Sequence, residues 1–506
     1  MNQTTSLTLS LLLFAPLAVL LAADAPKPTD KPNLIYILCD DLGYGDVHCL
    51  GGARSKIATP NIDRLASQGM TFTEAHSSSA VCTPSRYSIL TGRYNWRSHL
   101  QKGVLNGFSE PLIAANRLTV PALLKQNGYT TACIGKWHLG MGLEMNQPSP
   151  VIKNGPTTRG FDSFFGISAS LDMPPFVFIE NDHLTEPLTT ARKWTRSGPA
   201  AAGFEALDVL PTLTRKAVEF VGKQAKTGQP FFLYLPLNSP HTPLVPTKEW
   251  QGRSSLGVYG DFVMETDWAV GEVLAALDKS GVGANTIVIV TSDNGCAPYI
   301  GVAELEKQGH YPSEFRRGYK SDIWDGGHRI PFIVRWPEKI KAGSRSSQLV
   351  CLVDLMATCA DLLNLKLPDH AAEDSVSILP ALLGTDKPPL RDAVVHHSIN
   401  GSFAIRQGPW KLELCAGSGG WSVPGPGCRE AKQLPPVQLY DLTQDVGERT
   451  NEYRDHPEIV AQLTTLLEKY IADGRSTPGA PQKNDAAIKL WKEGQPDDEI
   501  LRKNGD

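Results

Sequence analysis

Asn33-Leu34-Ile35-Tyr36-Ile37-Leu38 runs without a break into Cys39-Asp40-Asp41, an apolar stretch of strand length that ends in two adjacent carboxylates. Such a run reads as a strand buried on both faces, the kind found in parallel sheets covered by helices. The pattern repeats downstream. Residues 59–69 (TPNIDRLASQG) predict a helix with Thr59 as cap, Pro60 at its first position and Gly69 as stop. Helices follow over 120–126, 210–224 and 262–277, and strands over 130–134, 230–235, 286–291 and 331–335. Strands separated by helices predict an α/β domain built on a large, mostly parallel sheet.

After about Pro389 the texture changes. Residues 403–407 and 410–414 form a hairpin pattern around Gly408-Pro409, residues 438–441 add a strand, and 456–472 read as an amphipathic helix. The division is therefore a leader over 1–25, a catalytic α/β domain over 26–389, and a small C-terminal α+β subdomain with an antiparallel sheet over 390–506. The polar stretch 474–506 reads as partly loose.

The chain has 506 residues, with 49 basic against 53 acidic side chains, a balance that gives no sign of a nucleic-acid partner. Residues 7–23 are apolar and uncharged, and Ala23-Asp24-Ala25 offers an Ala-x-Ala cleavage pattern. This reads as a secretory signal, hence a secreted or periplasmic protein. The n-region lacks Lys and Arg, so an uncleaved anchor stays open, although the segment is short for a span and contains Pro16; no stable membrane insertion is expected. Of nine cysteines, Cys39, Cys133 and Cys351 lie in apolar runs and read as core thiols. Cys415 and Cys428 bracket a Gly/Pro-rich loop and are the one disulfide candidate.

Cys82-Thr83-Pro84-Ser85-Arg86, followed by Leu90-Thr91-Gly92-Arg93, predicts a helix with Cys82 at its N-terminus and Gly92 as terminator. Free N–H groups and the macrodipole there favour an oxyanion or a sulfate. Arg86, one turn on, is within reach of the same oxygen. In open α/β sheets the ligand site lies beyond the carboxyl ends of the strands. Three strand ends here are unusually polar: Cys39-Asp40-Asp41, Asp293-Asn294-Gly295 and Lys136-Trp137-His138. Asp40, Asp41, Asp293 and Asn294 bring together oxygen-bearing side chains, and adjacent carboxylates repel unless a cation sits between them. Hard oxygen donors suit Ca²⁺ or Mg²⁺.

The order Asp40-Asp41, CTPSR, Gly135-Lys136-Trp137-His138-Leu139-Gly140, Ser239-Pro240-His241, Asp293-Asn294-Gly295 and Gly318-Tyr319-Lys320 resembles that of the formylglycine-dependent (type I) sulfatases over roughly residues 31–470. The resemblance implies an alkaline-phosphatase-like core and one Ca²⁺ held by Asp40, Asp41, Asp293, Asn294 and the modified residue 82. It also implies a maturation enzyme that oxidises Cys82 to Cα-formylglycine. The hydrated aldehyde would attack sulfur, with Arg86 and Lys136 offsetting charge and with His241 and Lys320 assisting the leaving alcohol. His138 would then take a proton to expel the sulfate and restore the aldehyde. Ser170 stands where some members place a further hydroxyl, though Leu171 after it departs from the polar residue expected.

Residues 309–312 and 326–329 resemble the subgroup that includes N-acetylgalactosamine-6-sulfatase. A sulfated saccharide is thus the implied substrate, with a lean toward 6-O-sulfated galactose or N-acetylgalactosamine of a polysaccharide. His310, Arg316, Arg317, Trp324 and His328 are the candidate sugar contacts. Trp137 reads as core, and His48, His76, His99, His396 and His397 as structural or surface histidines. Two alternatives stay open: a phosphonate or phosphate monoester hydrolase of the same superfamily, and a non-catalytic binder of sulfated glycan that keeps Cys82 as a thiol.

Overall fold

The computed structural model describes residue 1 and residues 31–144, 150–385 and 389–492; the leader lies outside them apart from Met1. The chain builds a ten-stranded sheet. Its strands in chain order are β1 (Asn33–Cys39), β2 (Met70–Phe72), β3 (Thr130–Lys136), β4 (Ser163–Ile167), β5 (Ile179–Glu180), β6 (His183–Leu184), β7 (Phe231–Pro236), β8 (Thr286–Ser292), β9 (Phe332–Arg335) and β10 (Ser344–Ser346). Across the sheet they run β10-β2-β9-β8-β1-β7-β3-β4-β5-β6. The centre, from β8 through β1, β7 and β3 to β4, is parallel, while β9 and β5 enter antiparallel. The register pairs Cys39 with Ser292, Leu38 with Pro236 and Tyr234 with Cys133. Four neighbouring parallel strands therefore end along one edge.

Alternation along β1 explains why both faces are covered. Leu34, Tyr36 and Leu38 join the core beneath α2 (Cys82–Thr91), α3 (Val120–Gln126) and α6 (Leu355–Leu362). Ile35, Ile37 and Cys39 join the opposite core, beneath α1 (Pro60–Gln68), α4 (Val209–Gln224) and α5 (Gly257–Ser280). Close approach at the end of β3 requires glycine: a Cβ on Gly135, at φ 140°, would stand 2.0 Å from the Pro236 carbonyl oxygen.

A second, four-stranded antiparallel sheet follows, of β11 (Ala393–His397), β12 (Phe403–Gln407), β13 (Trp410–Glu413) and β14 (Gln438–Asp441). Its core takes Val460, Leu463 and Leu467 from α7 (Pro457–Ala472) and the rings of Tyr94 and Trp96. One expectation is narrowed and another corrected here; of the stretch expected to be partly loose, residues 493–506 lie outside the described residues. The tail is held as far as residue 492: Arg93 grips Asp485 and the Lys483 carbonyl, Arg97 grips Asn484, and Ile488, Leu490 and Trp491 pack on the small sheet. Cys415 and Cys428 are both free thiols. Cys415 is buried with Sγ on the Gly417 carbonyl, and Cys428 Sγ accepts from the Ala431 N–H.

His397 closes β11 against the start of α2, its carbonyl taking the Ala80 N–H at 3.0 Å and the Ser79 hydroxyl at 2.9 Å. Burial, reinforced by the charge of Lys492, pushes its imidazole down to about 3. The ring is neutral in the folded chain and titrates near about 6.5 once unfolded. The stability tied to that difference is complete above the unfolded value and is lost as pH falls toward the folded one, about 2 kcal/mol by about pH 5. His397→Gln is expected to melt below the parent at neutral pH yet to lose less on acidification. Calorimetric melts at both pH values check this, and equal acid-induced drops would contradict it.

Candidate active site

Helix α2 begins at Cys82 and ends in Gly92, which takes the left-handed conformation at φ 65°. Every residue of the helix is buried. Ser85 fixes its first turn by donating to the carbonyls of Ser79 and Val81. Cys82, at the helix start, is 3% exposed rather than facing open solvent. Burial pushes its thiol up, against the pull of Lys136 and Lys320.

Arg86 is fully buried beneath Cys82. Its Nε and Nη2 both donate to Asp293 Oδ2, at 3.0 and 2.7 Å, and Nη1 donates to the Lys136 carbonyl at 3.0 Å. The sequence put this guanidinium within reach of the oxygen of residue 82; three of its five N–H groups go to the β8 and β3 ends. Lys136 Nζ donates to Asp40 Oδ2 at 2.6 Å, and Lys320 Nζ to Asp41 Oδ2 at 2.7 Å. His241 Nε2 stands 3.7 Å from the same Asp41 oxygen. Asn294 Nδ2 donates to Asp41 Oδ1 at 2.7 Å, and the Asp41 N–H reaches Asp293 Oδ1 at 3.2 Å. The strand-end residues thus converge from β1, β3, β7 and β8 into one buried network.

Three backbone positions of this network lie in the left-handed region that most side chains avoid: Asp41 at φ 66°, His138 at φ 57° and Ser321 at φ 85°. Such strain persists where the surroundings enforce it, and it clusters at functional sites. Polar atoms left without a partner cluster here as well. Asp40 Oδ1, Asn294 Oδ1, His138 Nδ1, Ser168 Oγ and the Asn238 amide are buried and meet no hydrogen-bond partner among the described residues. Buried polar groups are rarely left so. With carboxylates from two strand ends, the unpartnered oxygens of Asp40 and Asn294 make a donor set that fits a hard divalent cation. Asp40, Asp41 and His241 bring ligand atoms within 4.8 Å of one another.

The charges are sorted by neighbour. Burial alone would raise the Asp40 carboxyl, but Lys136, His241, Arg86 and Lys320 hold it well below the usual range. Burial and the adjacent Asp40 push Asp293 up. Burial works against the Lys320 charge, yet Asp41 keeps its ammonium well above its ordinary value. His241 is pushed down by burial and Lys320, and His138 well down by burial and Lys136. His138 Nε2 lies 2.8 Å from the Leu105 carbonyl, which fixes the proton on Nε2 and leaves the Nδ1 lone pair free. Leu105 also donates its N–H to Thr83 Oγ1 at 3.2 Å, tying that imidazole to the start of α2.

Other expected residues fall elsewhere. His310 is fully buried, with Nε2 on Asp46 at 2.8 Å and Nδ1 taking the Lys56 N–H, so neither nitrogen is offered to a saccharide. His328 is stacked on His396 at 3.8 Å and touches His76, its Nε2 meeting the Ile323 carbonyl and Lys411. The nitrogens of that histidine cluster meet Lys411, Arg329 and Arg406, cations that repel a metal ion. Ser170 donates to Asp172 at 2.5 Å. Arg316 lies over the ring of Tyr44 and Arg317 over the ring of buried Trp324. Trp137 is core, its indole donating to the Gly140 carbonyl. Ser168, whose carbonyl takes the His138 N–H at 2.9 Å, and Tyr299, 3.4 Å from Lys320, were not singled out; a residue two past a strand end was the available signal for Asn238.

The sequence model of the family described as Sulfatase matches residues 32–365. The N-acetylgalactosamine-6-O-sulfatase of Bacteroides thetaiotaomicron is 36% identical over 492 residues, covering 88% of this chain and 94% of the relative. The N-acetylgalactosamine-6-sulfatase of Rattus norvegicus is 31% identical, covering 93% and 91%. A solved structure from work on glycosaminoglycan metabolism by Bacteroides thetaiotaomicron superposes with a TM-score of 0.78 at 35% identity, covering 87% of this chain and 99% of that one.

Arg86→Met keeps most of the buried volume but leaves Asp293 and Asp40 without their guanidinium. It is expected to cost about 3–5 kcal/mol of stability. Adding Asp293→Asn to it is expected to return part of that loss in chemical unfolding; no recovery would show that the two groups are not coupled.

Proposed function

The chain belongs to the sulfatase family and is a sulfuric ester hydrolase, and we propose that it releases sulfate from a sulfated carbohydrate. The favoured substrate is a 6-O-sulfated galactose or N-acetylgalactosamine unit of a polysaccharide. The observation that carries the reading is the ring of Arg86, Lys136, Lys320, His138 and His241 around Asp40, Asp41, Asp293 and Asn294 at the helix start that bears Cys82. The N-acetylgalactosamine 6-sulfatases among the relatives support the sugar and the position.

In this reading Cys82, oxidised to Cα-formylglycine by a maturation enzyme and hydrated, supplies the hydroxyl that attacks sulfur. Asp40, Asp41, Asp293 and Asn294 would hold Ca²⁺, with an oxygen of residue 82 in the same shell; bound there it supplies a Lewis acid that favours an oxyanion. Lys136 offsets negative charge on the sulfate oxygens. Lys320, kept protonated by Asp41, donates to the oxygen of the departing alcohol, with His241 beside it on the same carboxylate. His138, held neutral by burial and fixed with its proton on Nε2, accepts at Nδ1 the proton lost from the second hydroxyl of residue 82. The apolar stretch 7–23 and its Ala-x-Ala end support export, secreted or periplasmic. No helix among the described residues is long and apolar enough to cross a membrane.

Mass spectrometry of the peptide carrying residue 82 from matured protein is expected to find a carbonyl-reactive aldehyde, with one thiol fewer than the nine cysteines of the chain. Cys82→Ala is expected to lower sulfate release from 6-O-sulfated saccharides by roughly a thousand-fold or more while the protein still melts cooperatively. Near-normal turnover by that variant would end the mechanism. Asp293→Asn is expected to weaken Ca²⁺ binding by roughly ten-fold or more in calorimetric titration; unchanged affinity would remove Asp293 from the ligand set.

A further inference from the structure

Two aromatic rings that stand half in water lie beyond Lys320, the first beside it and the second against the first. Tyr299, on the turn after Asp293 and Asn294, is 50% exposed, and Trp421, from the loop of the C-terminal subdomain, is 48% exposed. Their ring centroids are 5.9 Å apart and the planes are inclined at 45°. The Tyr299 hydroxyl is turned inward, 3.4 Å from Lys320 Nζ, and burial of that end pushes the phenol up to about 12. The ring itself remains outside, with Lys320 Nζ 5.9 Å from its centroid.

Trp421 is held in place by its backbone. Its N–H donates to Ser321 Oγ at 2.9 Å and to Asp322 Oδ1 at 3.0 Å, and the Ser422 N–H donates to the same carboxylate at 3.1 Å. The Ser422 hydroxyl also bonds Asp322, and Ile323 N–H reaches the Ser418 carbonyl at 2.7 Å. Gly420 passes so close to Ser321 that a Cβ there would lie 2.5 Å from its carbonyl oxygen. Ser321 and Asp322 directly follow Lys320, so the indole is fastened to the segment that carries this lysine. An indole left half exposed beside one other ring, on a backbone held by hydrogen bonds, is the kind of surface that marks a binding site.

We propose that Trp421 and Tyr299 form the aromatic wall of the subsite for the pyranose that bears the scissile sulfate, with the apolar C–H face of the sugar stacking on the indole. The inference rests on the saccharide reading above. When a 6-O-sulfate is cleaved, the departing oxygen is held at Lys320 and His241, and the sugar ring begins one carbon beyond it. The Tyr299 ring stands at that remove from Lys320, and Trp421 lies against it. Binding energy gathered there orients the ester toward Cys82 without touching sulfur, so Trp421 is a positioning residue.

The test is steady-state sulfate release from a 6-O-sulfated N-acetylgalactosamine saccharide by the matured enzyme, by Trp421→Ala and by Trp421→Phe. The alanine variant is expected to raise KM by roughly ten-fold, with the loss in KM rather than kcat, and the phenylalanine variant to recover most of it. Calorimetric binding of the same saccharide to Cys82→Ala, with and without Trp421→Ala, is expected to weaken in parallel. If the parent cleaves the saccharide and Trp421→Ala keeps its KM, the wall is overturned and the sulfatase reading stands. If the loss falls wholly on kcat, Trp421 acts on Lys320 and not on the sugar. If the parent cleaves aryl sulfates but no sulfated saccharide, the carbohydrate reading falls and this inference with it.

Discussion

Two N–H groups of Arg86 on a single oxygen of Asp293, at 3.0 and 2.7 Å, in a place with no access to water, are the contact on which the open end of the sheet depends. An isolated charge buried so deeply costs several kcal/mol, and only a matched, hydrogen-bonded partner offsets it. The guanidinium arrives from α2 and the carboxylate from the end of β8, while its third donor clamps the carbonyl of Lys136 at the end of β3. One side chain thereby ties a helix to two strands that are not neighbours, and sets where Cys82 stands relative to the strand-end carboxylates. The need to satisfy that charge also explains a helix buried on every side despite its Ser, Thr and Arg content. The hydroxyls of Ser85, Ser88 and Thr91 are spent on carbonyls of Ser79, Val81, Pro84 and Tyr87, and Thr83 Oγ1 takes the Leu105 N–H.

The sheet supplies the second half of the constraint. In a parallel arrangement all carboxyl ends point one way, so β8, β1, β7 and β3 deliver Asp293, Asp40, His241 and Lys136 to the same edge without any long loop. Asp41 and His138, two residues past β1 and β3, take the left-handed conformation. These positions are costly for non-glycine residues, and a network of close ion pairs is what holds them.

This division determines what could be read from the sequence. Strand-end polarity is a local signal, so Asp40, Asp41, Lys136, His138, Asp293 and Asn294 stood out beside runs such as NLIYILC, and the structure gathers them. Helix and strand limits also followed from local chemistry: Pro60 and Gly69 bound α1, and residues 120–126 are helical as expected. Long-range choices carried no such mark. Whether His310 faces a sugar or Asp46 depends on a partner 264 positions away, and the fate of His328 on stacking with His396 from the small sheet. Cys415 and Cys428 looked pairable because a Gly/Pro-rich loop joins them, but both are free thiols and that loop is bonded to buried Ser321 and Asp322. The same arrangement brings Trp421 beside Tyr299, a pairing invisible to any reading of neighbours in sequence. The tail reads as loose by composition, yet Arg93 and Arg97, both buried, need acceptors there.

The count of charge at the site bears on which ester it suits. Arg86, Lys136 and Lys320 are balanced by Asp40, Asp41 and Asp293, and both histidines are pushed toward neutrality by burial. A divalent cation held by those carboxylates would leave a surplus of two positive charges. A sulfate monoester arrives with one negative charge, and breaking its bond to the alcohol shifts that charge onto the departing oxygen without adding to it. A phosphate monoester dianion would neutralise the surplus on binding. Interactions that strengthen between ground state and transition state are the ones that accelerate a reaction, and in the proposed reading Lys320, kept protonated by Asp41, would meet the charge that gathers on the departing oxygen.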